Sequence, residues 1–323
     1  ERRECSLIGR AWETNAVADL LDRSLRGAGV VVGFVGSPGI GKSRLTRETV
    51  AIAAGRGFEV FSTYCESHTL EIPFHVVARL LRMVFGVTAV SSDVARSRIR
   101  AQLRQADAED LLLLDDLLGI RDSATPPPDI SPDARRRRLT ALVNASTVER
   151  RSPTVYVIED AHWIDDVSES MLFEFASVIR QTHSMFVVTY RPEYQGLLTG
   201  GADAQVLELA PLDDVQCVEL TGEVLGTDTS VAGIAATVAE RAAGNPFFVE
   251  EIVRDLAERG VLRGERGHYV CVGDVMDVSV PATLQAAIGA RIDRLDPVAN
   301  RTLPAAAVIG ARFDAEPLTR LFA

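Results

Sequence analysis

The chain has 323 residues, 47% of them hydrophobic and 24% charged, the balance of ordinary globular proteins. Its 34 basic and 45 acidic residues leave a net charge of −11, which speaks against a duplex-DNA binder with a basic face. The length suits about two domains, and no apolar run approaches the ~20 residues that span a bilayer.

The N-terminal "ERRECSLIGR" has no signal-peptide core. The missing start Met and a final "RFDAEPLTRLFA" that stops in mid-helix lead to the expectation of a segment cut from a longer protein. Cys5, Cys65, Cys217 and Cys271 lie far apart, with no CxxC pair and no Cys/His cluster. Neither a zinc site nor a disulfide framework is expected, and a reduced, cytoplasmic setting is.

In chain order, "AWETNAVADLLDRSLR" (11–26) places Trp12, Ala16, Val17, Leu20, Leu21 and Leu25 on one helical face. "VVVGFV" (30–35) is a β-branched run and predicts a buried strand. "GSPGIGKS" comes next, then a helix to about Ala54. "FEVFST" (58–63) predicts a second strand, and 74–119 predict helices. "RDSATPPPDISPD" (121–133) interrupts regular structure, and "ARRRRLTALVNASTVER" resumes as a helix. "TVYVIE" (154–159), "MFVVTY" (185–190) and "QVLEL" (205–209) predict three more strands, with a helix at about 167–180 between the first two.

Strands alternating with helices imply a parallel sheet covered on both faces. The alternation ends near Pro211. Beyond that point the chain reads helical apart from "RGERGHYVCVGD" (263–274), which suits a hairpin. The expected divisions are 1–210, 211–274 and 275–323.

Lys42 is the only lysine among the 34 basic residues. It sits in "VVVGFVGSPGIGKSRLTRETV", a strand, a Gly-rich loop and a helix that fit G-x-x-x-x-G-K-[ST]. Gly36, Gly39 and Gly41 allow backbone angles and close approach that a Cβ would block. The N–H groups of Gly36, Ser37, Gly39, Ile40, Gly41, Lys42, Ser43 and Arg44, turning about Pro38, can then form an anion nest at a helix N-terminus. Lys42 reaches phosphate as a compact point charge where a guanidinium fork would not fit. Ser43 can give a hydroxyl to Mg²⁺.

A loop of this kind calls for a metal ligand and a water-positioning residue from another strand end. "VYVIEDAHW" offers Glu159 and Asp160, and "VVTYRP" puts Arg191 at the next strand end, within reach of a γ-phosphate. His162 and Trp163 read as packing or positioning groups. Arg135–Arg138 point around their whole helix and read as a solvated helix start rather than a nucleic-acid patch.

With these pieces placed, the chain resembles the ATPase module of STAND-class signal-transduction proteins, as in large bacterial LuxR-type regulators and multidomain adenylate cyclases. The carriers are "LIGR" (7–10), "GSPGIGKS", "VIEDAHWID" (157–165), "TYRPE" (189–193), "GNPFFVEEIVRDL" (244–256) and "VPATLQAAIGARIDRLDP" (280–297). The resemblance implies an α/β P-loop parallel-sheet core, an all-helical lid and a winged-helix domain. It implies ATP or ADP with Mg²⁺, held by Ser43 and the Glu159–Asp160 pair, and γ-phosphate sensing by Arg191. It places Ile8, Gly9 and Arg10 on the adenine side and has Pro246 close on the base. Related modules often have Asp-Asp where this chain has Glu159-Asp160, so the division of roles within the pair stays open.

The implied function is an ATP-dependent switch with slow hydrolysis that controls attached helix-turn-helix or cyclase domains, with a nucleotide-dependent oligomer left open. No membrane partner and no strong DNA binding by this segment are expected. The alternatives are a module that binds nucleotide without turning it over, and a DNA-binding regulator acting through the winged helix. A GTPase would want N-K-x-D, which a chain with one lysine, already used, lacks. A small-molecule kinase shows no acceptor site.

Overall fold

The computed structural model describes residues 7–122, 124–126, 128–199, 204–273, 289, 292, 295 and 297–309. They belong to two compact units, one built from Thr14–Val35 and Thr46–Leu207, the other from Glu1–Glu13, Gly36–Leu45 and Glu208–Ala323.

The first unit is a sheet covered by helices. Its strands are β1 (Val30–Val35), β2 (Glu59–Tyr64), β3 (Thr154–Glu159), β4 (Ser184–Tyr190) and β5 (Gln205–Glu208), in the order β2-β3-β4-β1-β5. β2 runs parallel to β3, β3 to β4 and β4 to β1, with Val35 opposite Tyr190 and Tyr64 opposite Glu159. Every residue of β1 and β4 is buried, whereas in the edge strand β2 only Thr63 is. That contrast reflects sheet position: central parallel strands are buried on both faces and read as unbroken apolar runs.

Along the chain the helices are α1 (Ala11–Leu25), α2 (Lys42–Gly55), α3 (His75–Val84), α4 (Ser92–Gln102), α5 (Ala108–Leu117), α6 (Pro132–Glu149) and α7 (Asp166–Ile179). The core of the sheet unit gathers Leu80 and Leu81 of α3, Ile99 of α4, Leu139 of α6, Phe175 of α7 and Tyr156 and Phe186 of the sheet. Phe175 meets Tyr156 and Phe186 edge-on, with centroids 5.1 and 5.5 Å away.

Two sequence expectations need correction here. Trp12 and Leu25 do not share the buried face of α1: Trp12 is 66% exposed, and Glu13, Val17, Leu20, Leu21 and Ser24 turn inward. Arg135–Arg138 are not simply solvated. Arg135 pairs with Asp116, Arg136 with Glu174, and Arg138 with Asp107, Glu109 and Asp110 in the first turn of α5 and its cap, leaving Arg137 exposed. Acidic residues on neighbouring helices supply partners that a single-helix reading cannot see.

In the second unit, α8 (Asp214–Leu225), α9 (Ala232–Ala242) and α10 (Pro246–Glu258) pack around Leu220, Leu225, Val238, Val249 and Leu256. Asp213 and Gln216 cap α8 reciprocally. A short antiparallel pair comes after α10, β6 (Leu262–Arg263) with β7 (Val270–Cys271), in the segment read as a hairpin. Further along is α11 (Pro297–Ile309). The expected winged helix at 275–323 lies, apart from α11 and a few single positions, outside the described residues. Among those described, no helix is long and apolar enough to cross a membrane.

Candidate functional site

The Gly-rich loop leaves the carboxyl end of β1 and enters α2 at Lys42. Gly39 (φ +81°) and Gly41 (φ +109°) occupy backbone conformations that L side chains rarely adopt. A Cβ on Gly39 would also lie 2.7 Å from Cβ of Phe247. Lys42 is 8% exposed. Its Nζ donates to the carbonyls of Gly36 (2.7 Å) and Ser37 (3.1 Å), so the ammonium sits inside the loop's own curve. Ser43 is exposed, Pro38 and Arg44 are half-buried, and Ile40 is buried.

Arg10 is buried, and its guanidinium donates to Glu13 (2.9 Å), to the Ile40 carbonyl (3.2 Å) and to the Ala210 carbonyl (2.6 Å). Three separate pieces of this unit thus converge on one side chain. Gly9 (φ +69°) packs so closely on Gln216 and Leu212 that a Cβ would come within 2.7–2.8 Å of them. Ile8 packs against the α8–α10 core.

Pro246 opens α10, where its missing N–H needs no partner. Asn245 is the N-cap: its side-chain oxygen accepts from Phe247 N–H (3.1 Å). Its amide nitrogen donates to the Pro38 carbonyl at 3.0 Å. Phe247 N–H also points to the Gly39 carbonyl at 3.3 Å. The turn before α10 is therefore bonded to the Gly-rich loop. Sequence reasoning does not single out Asn245, although an Asn before a Pro at a helix start is a readable cap signal.

In the sheet unit, Glu159 ends β3 and Asp160 comes next with φ +56°, an uncommon conformation for a residue with a Cβ. Asp160 N–H donates to the buried Thr189 hydroxyl of β4 (3.0 Å), which holds the turn. Glu159 and Asp160 are half-buried, and His162 Nδ1 is 4.0 Å from Asp160 Oδ1. Arg191 follows β4 and lies 5.9 Å from the centre of the Trp163 ring, within cation–π range. Asp165 caps α7 through Ser168 N–H and accepts Phe74 N–H (3.0 Å), fixing Phe74 at φ +64°. Cys65, whose N–H donates to the Glu159 carbonyl (2.8 Å), has its thiol pushed up to about 12 by burial and by the charges of Asp160 and Asp165. It is a structural thiol rather than a nucleophile.

The chemistry of these groups fits an anionic ligand and a hard cation. Gly39 and Gly41 N–H groups make no hydrogen bond among the described residues, and a Cβ on Gly41 would meet nothing within 4 Å. Among the described residues no cluster of three or more His, Cys, Asp or Glu is placed to hold a metal alone. Mg²⁺ commonly takes one or two protein oxygens and completes its shell with phosphate and water.

A parallel sheet with a Gly-rich loop after β1 and acidic residues after β3 defines the P-loop class of nucleotide-binding proteins. Within it, the chain belongs to the AAA ATPase domain family, whose profile matches residues 6–188. A second profile, for a domain of unknown function, matches residues 214–268. The chain is 29% identical over 252 residues to an uncharacterized protein of Rhizobium meliloti (strain 1021). That match takes in 76% of this chain but 24% of the relative, so it spans about a quarter of the relative's length. Among solved structures the chain is similar to Drosophila ORC bound to DNA, with 16% identity, 93% of this chain and 67% of that one covered, and a TM-score of 0.50. It is also similar to Aeropyrum pernix ORC1 in complex with DNA, with 16% identity, coverage of 92% and 71%, and a TM-score of 0.47. At this identity the Drosophila likeness shows the fold alone.

Proposed function

We propose that the chain is an ATP- and ADP-binding switch of the STAND type, with slow Mg²⁺-dependent hydrolysis, that controls attached effector domains such as those of LuxR-type regulators or adenylate cyclases. In this reading the N–H groups from Gly36 to Arg44 cradle the phosphates, and Lys42 exchanges its loop carbonyls for phosphate oxygens. Ser43 and one of Glu159 and Asp160 hold Mg²⁺, which when bound neutralises charge building on the phosphates. The other carboxylate orients the attacking water, and Arg191 contacts the γ-phosphate. Ile8, Gly9 and Arg10 form the adenine side, and Pro246 closes on the base.

The observation that carries the reading is the pair of bonds from Asn245 and Phe247 to the Pro38 and Gly39 carbonyls. A loop that adjusts to its phosphates pulls directly on the first turn of α10. A ligand shifts such an element only by its differential affinity for the two arrangements. The test is phosphate release measured over many turnovers in Mg²⁺, for the parent chain and for Asp160→Asn. Sustained release by the parent, lost in the variant with ATP still bound, supports the switch. Tight ATP binding with no release by the parent leaves a binding module that never turns over.

A further inference from the structure

A cavity of about 330 Å³ lies within the sheet unit, bounded by α3, the end of α4, α6, β3 and α7. That volume is in the ~300–1,000 Å³ range of small-molecule pockets. Its walls are mainly apolar: Leu80, Leu81, Phe85, Val143, Tyr156 and Phe175. The exposed Gln102 and Glu149 stand at its rim. None of its lining residues belongs to the Gly-rich loop, the acidic pair or Arg191.

The polar groups in the wall differ in one respect. Thr140 donates to the Arg136 carbonyl, while Ser146 and Thr147 donate to the Val143 carbonyl, so these hydroxyls are satisfied by their own helix. Gln102 donates to the Phe85 carbonyl. Arg150 is committed to Glu59 and the Val84 carbonyl and lies over the Phe61 ring. Asn144 Oδ1 is buried and has no hydrogen-bond partner. Buried polar atoms without partners are uncommon and costly. Burial also raises the Tyr156 phenol above its ordinary value, which keeps that wall group neutral.

We infer that this cavity is a binding site for a small, uncharged, mainly apolar molecule carrying one hydroxyl or amide group, which pairs with the Asn144 amide. The apolar walls take the body of the molecule. Apart from the exposed Glu149 at the rim and the paired Arg150, the lining carries no charge, which disfavours an ion. Tyr156 shares β3 with Glu159, and Met171, Leu172 and Phe175 stand on α7, next in the chain after the Asp160–Asp165 segment. An occupant would therefore rest against the elements on both sides of the acidic motif. Binding itself does not depend on the nucleotide reading.

The test is a fluorescence titration of the whole 323-residue chain with 1-naphthol, compared with naphthalene, which lacks the hydroxyl. Saturable one-site binding of 1-naphthol is expected, with naphthalene about five- to tenfold weaker, the value of one hydrogen bond. Asn144→Leu should bring the two probes to equal affinity. Ser146→Trp, which fills the cavity from a half-buried helix position, should abolish binding of both with the far-ultraviolet circular dichroism unchanged. Should Ser146→Trp fail to fold, the Asn144→Leu comparison decides. Absence of saturable binding, equal affinity for both probes in the parent chain, or undiminished binding in a folded Ser146→Trp would each overturn the inference.

Discussion

Lys42 keeps its ammonium inside a closed loop, against two backbone carbonyls, at 8% exposure. A guanidinium is wider and rigid, so it cannot make those contacts without opening the loop. Lys42→Arg is expected to weaken ATP binding by at least ~10-fold although charge is unchanged, about the worth of one charge-assisted hydrogen bond. Isothermal titration checks this, and near-parental affinity would end the steric account. In the proposed reading the two members of the acidic pair take different roles. Asp160 is held in a left-handed turn by the bond from its N–H to Thr189, which fixes its backbone at the end of β3. Asp160→Asn is expected to retain ATP and to lose at least ~10²-fold in hydrolysis, the lower range for acid–base or positioning groups. Glu159→Gln should instead raise the Mg²⁺ concentration needed. An exchange of the two phenotypes would reverse the assignment within the pair and leave the pair itself intact.

At the scale of elements, the turn into α10 joins a helix start to the Gly-rich loop. Asn245→Ala removes both the cap and the bond to Pro38, and the cap alone is worth ~1 kcal/mol. Faster hydrogen exchange is expected in the first turn of α10, with the amides of β1, β3 and β4 unchanged. Pro246→Ala leaves the cap in place and should weaken ADP binding. If it lowers the melting temperature but binds ADP as before, Pro246 serves only as a helix start. Much of this level was legible in the sequence. β1, β3 and β4 are apolar runs of the right length, and the Gly-rich loop names its own chemistry. The strand order was not legible, because β1 and β4 are neighbours across about 150 residues of chain. Nor was the bond from Asn245 to Pro38, which spans 207 positions. Trp12 misled for a related reason: helical periodicity marks an apolar stripe, but the partner that covers it lies elsewhere in the chain, and here Glu13 is buried with Arg10 instead. In the candidate site, the residue types could be read from motifs, while Thr189 and Asp165 act through backbone bonds that no motif records.

For the whole molecule, the net charge of −11 opposes association with a polyanion. No useful duplex-DNA affinity is expected at physiological salt, and sub-micromolar, salt-sensitive binding in a fluorescence titration would contradict this. In the proposed switch, nucleotide held by the Gly-rich loop sets the state of the helical unit through Asn245 and Phe247. Hydrogen exchange at the amides of Phe247, Phe248 and Val249 measures that coupling most directly. It should be recorded with ADP, and with ATP in the Asp160→Asn chain so that the triphosphate persists. Protection in this turn is expected to differ between the two nucleotides by at least ~5-fold, the lower end of measured coupling between sites. Equal protection with both nucleotides bound would contradict it.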